Sequence, residues 1–184
     1  PTEVRGAGVV FHPGARVDPR AYLALLRPLA ERGHLVVVVK APFDFGLLAV
    51  GAAGAAADAH LEVDRWVVGG HSLGGVAAAR FAAGGDPRVR GVLFWASYPA
   101  DDLSGSGLAV ASVSGGRDGL TTPQDVAENR PLLPPGAELV VVPGAVHAHF
   151  GDYGPQPGDG RPGVDRETAQ AEIVSATIAF VDDL

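Results

Sequence analysis

Trp66-Val67-Val68-Gly69-Gly70-His71-Ser72-Leu73-Gly74-Gly75-Val76-Ala77-Ala78-Ala79 is the stretch whose reading decides the fold. A β-branched, apolar run stops at two glycines, a serine follows, two more glycines come next, and an alanine-rich segment begins. This predicts a strand that enters a very tight turn and leaves it as a helix. Gly70, Ser72 and Gly74 form a G-x-S-x-G pattern with the serine at its apex. Side chains at Gly70 and Gly74 would collide where strand and helix approach each other. The serine is then expected in strained backbone geometry, its hydroxyl raised above the sheet near a helix N-terminus. The alternative reading is an ordinary glycine-rich strand-to-helix turn.

Working outward, Gly8 to His12 reads as a buried strand ended by Pro13-Gly14. Asp18-Pro19 supplies a helix cap and a first-turn proline. Leu23, Leu25, Leu26, Leu29 and Ala30 then make an apolar face, and Gly33 is placed as a stop. Further strands are expected at Leu35 to Val39, Arg65 to Val68, Gly91 to Ala96, Ala109 to Ser114 and Glu138 to Val142. Helices are expected from Phe45 to Ala59, from Ser72 to about Ala83, from Thr122-Pro123 to about Asn129, and from Arg166 to Val181. Strands alternating with helices imply right-handed βαβ units, so the fold class is α/β. The expected architecture has three layers, αβα, around a mostly parallel sheet of about six strands, as one domain over residues 1–184.

A serine hydroxyl is a poor nucleophile unless a base removes its proton, and that base needs a carboxylate to orient it. In a parallel sheet both partners should follow the C-terminal ends of later strands. Ala109 to Ser114 runs into Gly115-Gly116-Arg117-Asp118-Gly119, and Glu138 to Val142 runs into Pro143-Gly144-Ala145-Val146-His147. The order Ser72, Asp118, His147 is the one expected for a serine elbow on this architecture. Asp101, Asp102 and Asp125 are alternative acids, and His149 is the alternative base.

With these motifs the chain resembles the α/β-hydrolases, and the resemblance runs over essentially its whole length. Gly70 to Gly75 is similar to the esterase/lipase elbow, Gly115 to Asp118 to the acid turn, and Gly144 to His147 to the histidine turn. Tyr98-Pro99, Ser114 to Leu120 and His147 to Asp159 resemble a small bacterial subgroup whose members often carry an N-terminal membrane or export segment. The resemblance implies a minimal fold. The opening antiparallel strands are missing, and only Tyr98 to Gly107 stands where relatives insert a cap domain. It also implies an oxyanion hole made by the backbone N–H groups of Leu73 and Ala15, the latter in the loop His12-Pro13-Gly14-Ala15.

The implied reaction is cleavage of a carboxylic ester through an acyl-enzyme, with no cofactor and no metal. Thioester, lactone and peptide hydrolysis would use the same three residues. An idle triad on a binding protein is the reading from another class. A net charge of −7 argues against nucleic acid or an anionic membrane surface as a partner, and the implied reaction makes a small-molecule ester the expected one. No apolar stretch is long enough to span a membrane. The chain starts at Pro1 and has no methionine, which reads as a processed or trimmed form. Compartment and oligomeric state stay open. Export or anchoring through a removed N-terminal segment is one alternative, and the cytoplasm is the other.

The remaining candidates have bland readings. His71 is expected to pack beneath the elbow, His12 to hydrogen-bond and shape the oxyanion loop, and His34 and His60 to sit at the surface or at helix ends. His149 is expected at the rim. Asp152, Asp159 and Asp165 do not have calcium-loop spacing, so Gly151 to Gly163 is expected to pin the histidine. Phe43, Phe45, Trp95 and Tyr98 are expected in the core or pocket wall, with Trp95 and Tyr98 bordering an acyl pocket.

Overall fold

A computed structural model describes residues 6–184. Its strands are β1 (Gly8–His12), β2 (Leu35–Val38), β3 (Trp66–His71), β4 (Val89–Trp95), β5 (Ala109–Gly115) and β6 (Glu138–Val142). They form one sheet in the order β2-β1-β3-β4-β5-β6, and every pairing is parallel. All six residues of β3 are buried, which explains its unbroken apolar run: a central parallel strand is covered on both faces. β6 lies at the sheet edge and leaves Leu139 and Val141 exposed.

The helices are α1 (Leu23–Glu31), α2 (Ala52–Ala59), α3 (Leu73–Ala83), α4 (Pro123–Asn129) and α5 (Arg166–Asp182). On one face of the sheet, Leu25, Leu26 and Leu29 of α1 and Ile173, Phe180 and Val181 of α5 pack with Phe11, Leu93 and Trp95. On the other face, the alanines of α2 and α3 pack against Val10, Val68, Val92 and Phe94. These small residues let the helices lie close to the sheet. The Trp95 ring is fully buried, and its Nε1–H donates to Thr177 Oγ1 at 2.9 Å, so the indole nitrogen is satisfied inside the apolar layer. Trp95 therefore belongs to the core beneath α5 and does not border a pocket.

Three expectations need correction. The segment expected as a helix from Phe45 is helical only from Ala52. Before it the chain makes two 3₁₀ turns, Pro42–Asp44 and Gly46–Ala49. Phe43 and Asp44 take left-handed φ of 55° and 51°, and the Asp44 carbonyl accepts from the Arg16 amide at 2.9 Å. Pro42 starts this turn, and the Arg16 contact uses a carbonyl that a helix would have kept. Phe43 is 90% exposed and Phe45 is partly exposed, so neither is a core residue. Finally, β3 runs three residues beyond Val68, because Gly70 pairs with His12 and His71 with Trp95.

The strand order places the site. From β1 the chain moves outward to β2, then returns past β1 to β3 and proceeds the other way. The reversal lies between β1 and β3, where loops leave in opposite directions and a crevice opens at the strand C-termini. The loop after His12 and the turn at Ser72 both emerge there. Residues 96–108 join β4 to β5 without a helix, and Leu103 is buried over the sheet in their place. Among the described residues no helix is long and apolar enough to cross a membrane.

Candidate active site

Ser72 has φ 53° and ψ −124°, a conformation that L-residues rarely adopt. Several contacts hold it. Its amide donates to Trp95 O at 3.0 Å, and its carbonyl accepts from Gly75 N at 3.0 Å and from Ser97 Oγ at 2.6 Å. The glycines are required by backbone, as expected. A Cβ on Gly70 would lie 2.6 Å from His12 O, and one on Gly74 would lie 2.5 Å from Pro13 O. The elbow is thus wedged against the loop that leaves β1. Sequence reasoning misses Ser97, because a serine two residues past a strand end carries no signal for this contact.

Asp118 and His147 come together. His147 Nδ1 lies 2.8 Å from Asp118 Oδ2, with both side chains almost completely buried. Asp118 Oδ1 accepts from the amides of Leu120 and Thr121, each at 2.8 Å. The other acids are engaged elsewhere: Asp101 with Arg80, Asp102 with Ser104 N, and Asp125 in the α4 capping box with Thr122. The His147 ring packs on that of His71, the residue before Ser72, with centroids 4.5 Å apart. Among the described residues, Ser72 Oγ and His147 share no hydrogen bond. Such contacts often close only around substrate.

The segment around His147 is fastened by groups distant in sequence. Asp159 accepts four amides: His147 N at 3.0 Å, Gly160 N at 2.7 Å and Gly119 N at 3.3 Å on Oδ1, and Ala148 N at 2.9 Å on Oδ2. One carboxylate therefore ties the histidine turn to the acid turn. Arg166, in the first turn of α5, donates to the carbonyls of Ala148 (2.8 Å), Gly151 and Tyr153 (2.9 Å). Tyr153 Oη donates to His147 O at 3.3 Å. Asp152 and Asp165 turn outward, to Gln170 and to Thr168 N, so the three acids do not converge. Among the described residues no group of three acidic, histidine or cysteine side chains is placed to hold a metal.

A second buried network lies beneath the elbow. Tyr22 Oη accepts from Gly14 N at 2.9 Å and lies 2.9 Å from His71 Nδ1. Burial, and secondarily the neighbouring His147, hold His71 well below the usual imidazole range. Neutral His71 then accepts the Tyr22 proton at Nδ1. His71 is more than packing, because through Tyr22 it is linked to Gly14 in the loop that leaves β1. The ring of His71 also stacks on Phe150, 5.9 Å between centroids.

Within that loop the amides sort cleanly. Gly14 N donates to Tyr22 Oη, Arg16 N to Asp44 O, and Val17 N to Gly14 O. Ala15 N donates to nothing among the described residues, and neither does Leu73 N at the start of α3, whose first amides have no partner within the helix.

Three other histidines differ from expectation. His12 makes no side-chain hydrogen bond: both ring nitrogens are buried and unpartnered, and burial pushes the ring down to about 4. Its contribution to the elbow comes through its carbonyl, against Gly70. His34 is buried and meets Asp182 Oδ1 at 2.9 Å. His149 is also buried, and burial, with Arg166 nearby, lowers its basicity; it is not a rim residue. His60 is a surface residue, paired with Glu62. A cavity of about 410 Å³ opens between residues 15–17 and residues 153–157. A larger one, about 620 Å³, lies at the opposite end of the sheet, between the end of α3 and residues 102–108.

Residues 8–171 match the alpha/beta hydrolase family. The chain belongs to that family. No match is found among curated proteins. Several solved structures share the α/β-hydrolase fold. The complex of DcsB with its substrate analogue superposes with TM-score 0.73 at 11% identity, covering 98% of this chain and 91% of DcsB. The RedJ thioesterase of the prodiginine biosynthetic pathway in Streptomyces coelicolor gives 0.63 at 16% identity, over 92% and 86%. MGS-MChE2, an alpha/beta hydrolase from a sediment metagenome of the lagoon of Mar Chica, Morocco, gives 0.63 at 17%, over 80% and 85%.

Proposed function

We propose that this α/β-hydrolase, read as one domain over residues 1–184, is a serine hydrolase of carboxylic esters using Ser72, His147 and Asp118. The observation that carries the reading is the buried 2.8 Å contact of His147 with Asp118, packed against the residue that precedes the strained Ser72. A carboxylate oxygen only accepts, so the proton of that contact sits on Nδ1 and leaves Nε2 with its lone pair. Nε2 takes the Ser72 proton as Oγ attacks the carbonyl carbon. The negative charge moves to the carbonyl oxygen, where the N–H groups of Leu73 and Ala15 stabilise it. Both amides lack other partners, which supports this role. His147 then protonates the leaving alcohol and the acyl group stays on Ser72. Water, deprotonated by the same nitrogen, attacks the acyl carbon and releases the acid.

A thioester is the second reading. The same steps apply to it, and the RedJ thioesterase has the same fold over 92% of this chain. The test is a panel of esters and matched thioesters assayed on wild type and Ser72→Ala, beside labelling with a fluorophosphonate. Loss of about 10⁶ in kcat in the variant, with labelling at Ser72 in the wild type, is the expected result. Turnover at the wild-type rate in Ser72→Ala would overturn the proposal. A wild-type protein that neither turns over nor takes the label would indicate an idle site.

A further inference from the structure

The cavity between residues 15–17 and 153–157 has one charged side chain in its wall, Arg16. Its other wall is neutral and rich in proline, with the Gln156 amide as a further polar group. Arg16 forms no hydrogen bond through its guanidinium and no ion pair with any described residue, although the chain carries seven more acids than bases. Asp44 takes the Arg16 amide on its carbonyl, but its carboxylate is not paired with the guanidinium. Arg20, Arg32 and Arg88 are engaged, with Asp18, with Asp182, and with Asp58 and Asp86, whereas Arg90, Arg117, Arg130 and Arg161 are unpaired among the described residues as Arg16 is. What sets Arg16 apart is its place in the wall of this cavity.

Backbone geometry adds a second observation. Arg16 has φ 61°, the left-handed region in which glycine is at no disadvantage and an L-residue is disfavoured by roughly 1 kcal/mol. The Arg16 amide is fixed by Asp44 O and the Gly14 amide by Tyr22 Oη, so the side chain projects from a loop held at both ends. Arg16 also directly follows Ala15, whose N–H is the unpartnered amide of this loop. Adjacent Cα atoms are about 3.8 Å apart, so the Arg16 side chain and the Ala15 N–H leave neighbouring positions of one loop, and a single substrate can reach both.

We infer that this cavity is an anion-recognising subsite, and that the favoured substrate is an ester or thioester with a carboxylate or phosphate a few atoms from the scissile carbonyl. The inference rests on the proposed chemistry at Ser72 and names its substrate class. The anion has two possible sources. A carboxylate at the far end of the acyl chain places it on the acid side, and a phosphate in the departing thiol places it on the leaving-group side. In either case the guanidinium forms charge-assisted hydrogen bonds to the anion.

The test compares kcat/KM for pairs matched in length. A glutaryl ester is set against the pentanoyl ester of the same alcohol. The acetyl thioester of 2-mercaptoethyl phosphate is set against that of 2-ethoxyethanethiol. Each pair is assayed with wild type, Arg16→Gly, which suits the left-handed backbone, and Arg16→Lys, which keeps the charge. Expected is a preference of about tenfold for the anionic member of one pair, falling towards one in Arg16→Gly and partly restored in Arg16→Lys. The pair that shows it identifies the source. Equal kcat/KM within both pairs for wild type, or a preference unchanged in Arg16→Gly, overturns the inference while leaving the Ser72 chemistry intact. Failure of that chemistry reads differently, as no turnover of any of the four substrates.

Discussion

Replacing Asp159 by asparagine removes a charge and turns one acceptor atom into a donor. In the native chain Oδ1 serves three amides and Oδ2 serves one. The best orientation of the introduced amide keeps its oxygen on His147, Gly160 and Gly119, and then points an NH₂ group at Ala148 N–H. One bond is lost outright and three lose their charge assistance. A hydrogen bond to a charged group contributes about 1.5–3 kcal/mol against about 1 for a neutral one, and an unpaired amide costs a further 1–3. The half-buried position tempers that sum, which leaves a loss of about 2–4 kcal/mol. In a domain of this size that lowers Tm by roughly 5–10 °C. Activity should fall as well, because the freed amide is that of Ala148, next to the proposed base. We expect kcat to drop at least tenfold with little change in KM, since a misaligned base spoils the transition state more than binding. Differential scanning calorimetry and ester kinetics on Asp159→Asn measure both. Wild-type Tm together with wild-type kcat would refute the idea that this carboxylate fastens the histidine turn.

Two further outcomes follow from the buried polar groups. Tyr22→Phe keeps the ring and deletes the hydroxyl, leaving Gly14 N and His71 Nδ1 unpartnered; stability should fall by about 1–3 kcal/mol and kcat by roughly tenfold, checked by urea unfolding and ester kinetics. His12 and His71 are held neutral, below 6.5, so the unfolded chain binds more protons than the folded one as pH drops below that value. Stability is complete above about pH 6.5 and declines on acidification, by about 2 kcal/mol from His12 alone at pH 5, with His71 acting in the same direction. Urea midpoints at pH 7 and pH 5 test this, and His12→Leu should flatten the difference.

Much of this molecule is legible in its residues because the decisive constraints are local. Gly70 and Gly74 are excluded from bearing side chains by backbone atoms, and that need shows directly as a pattern around Ser72. Continuous β-branched runs announce the buried parallel strands, and Thr122-Pro123 with Asp125 announces a capped helix. Contacts across long sequence distances are not legible. Nothing at Ser97 foretells a bond to Ser72 O, and Arg166, which reads only as the start of a helix, closes over carbonyls 13 to 18 residues earlier. The 42–49 segment departs from expectation for a related reason. Its apolar residues suit a helix, but its geometry is set by the Arg16 amide taking the Asp44 carbonyl. His34 reads as a helix-end residue because Asp182, its partner, lies 148 positions away.

The fastening of the His147 turn by Arg166 also sets the order in which a growing chain becomes competent. Residues 66–83, with the serine, leave the ribosome long before the first turn of α5 exists. Until Arg166 is made, the carbonyls of Ala148, Gly151 and Tyr153 lack their donor, and the turn that carries the proposed base is held only by Asp159 and Asp118. On the proposed chemistry, a nascent or C-terminally nicked chain would thus carry Ser72 in place and turn over slowly, gaining full activity only once the last helix has docked.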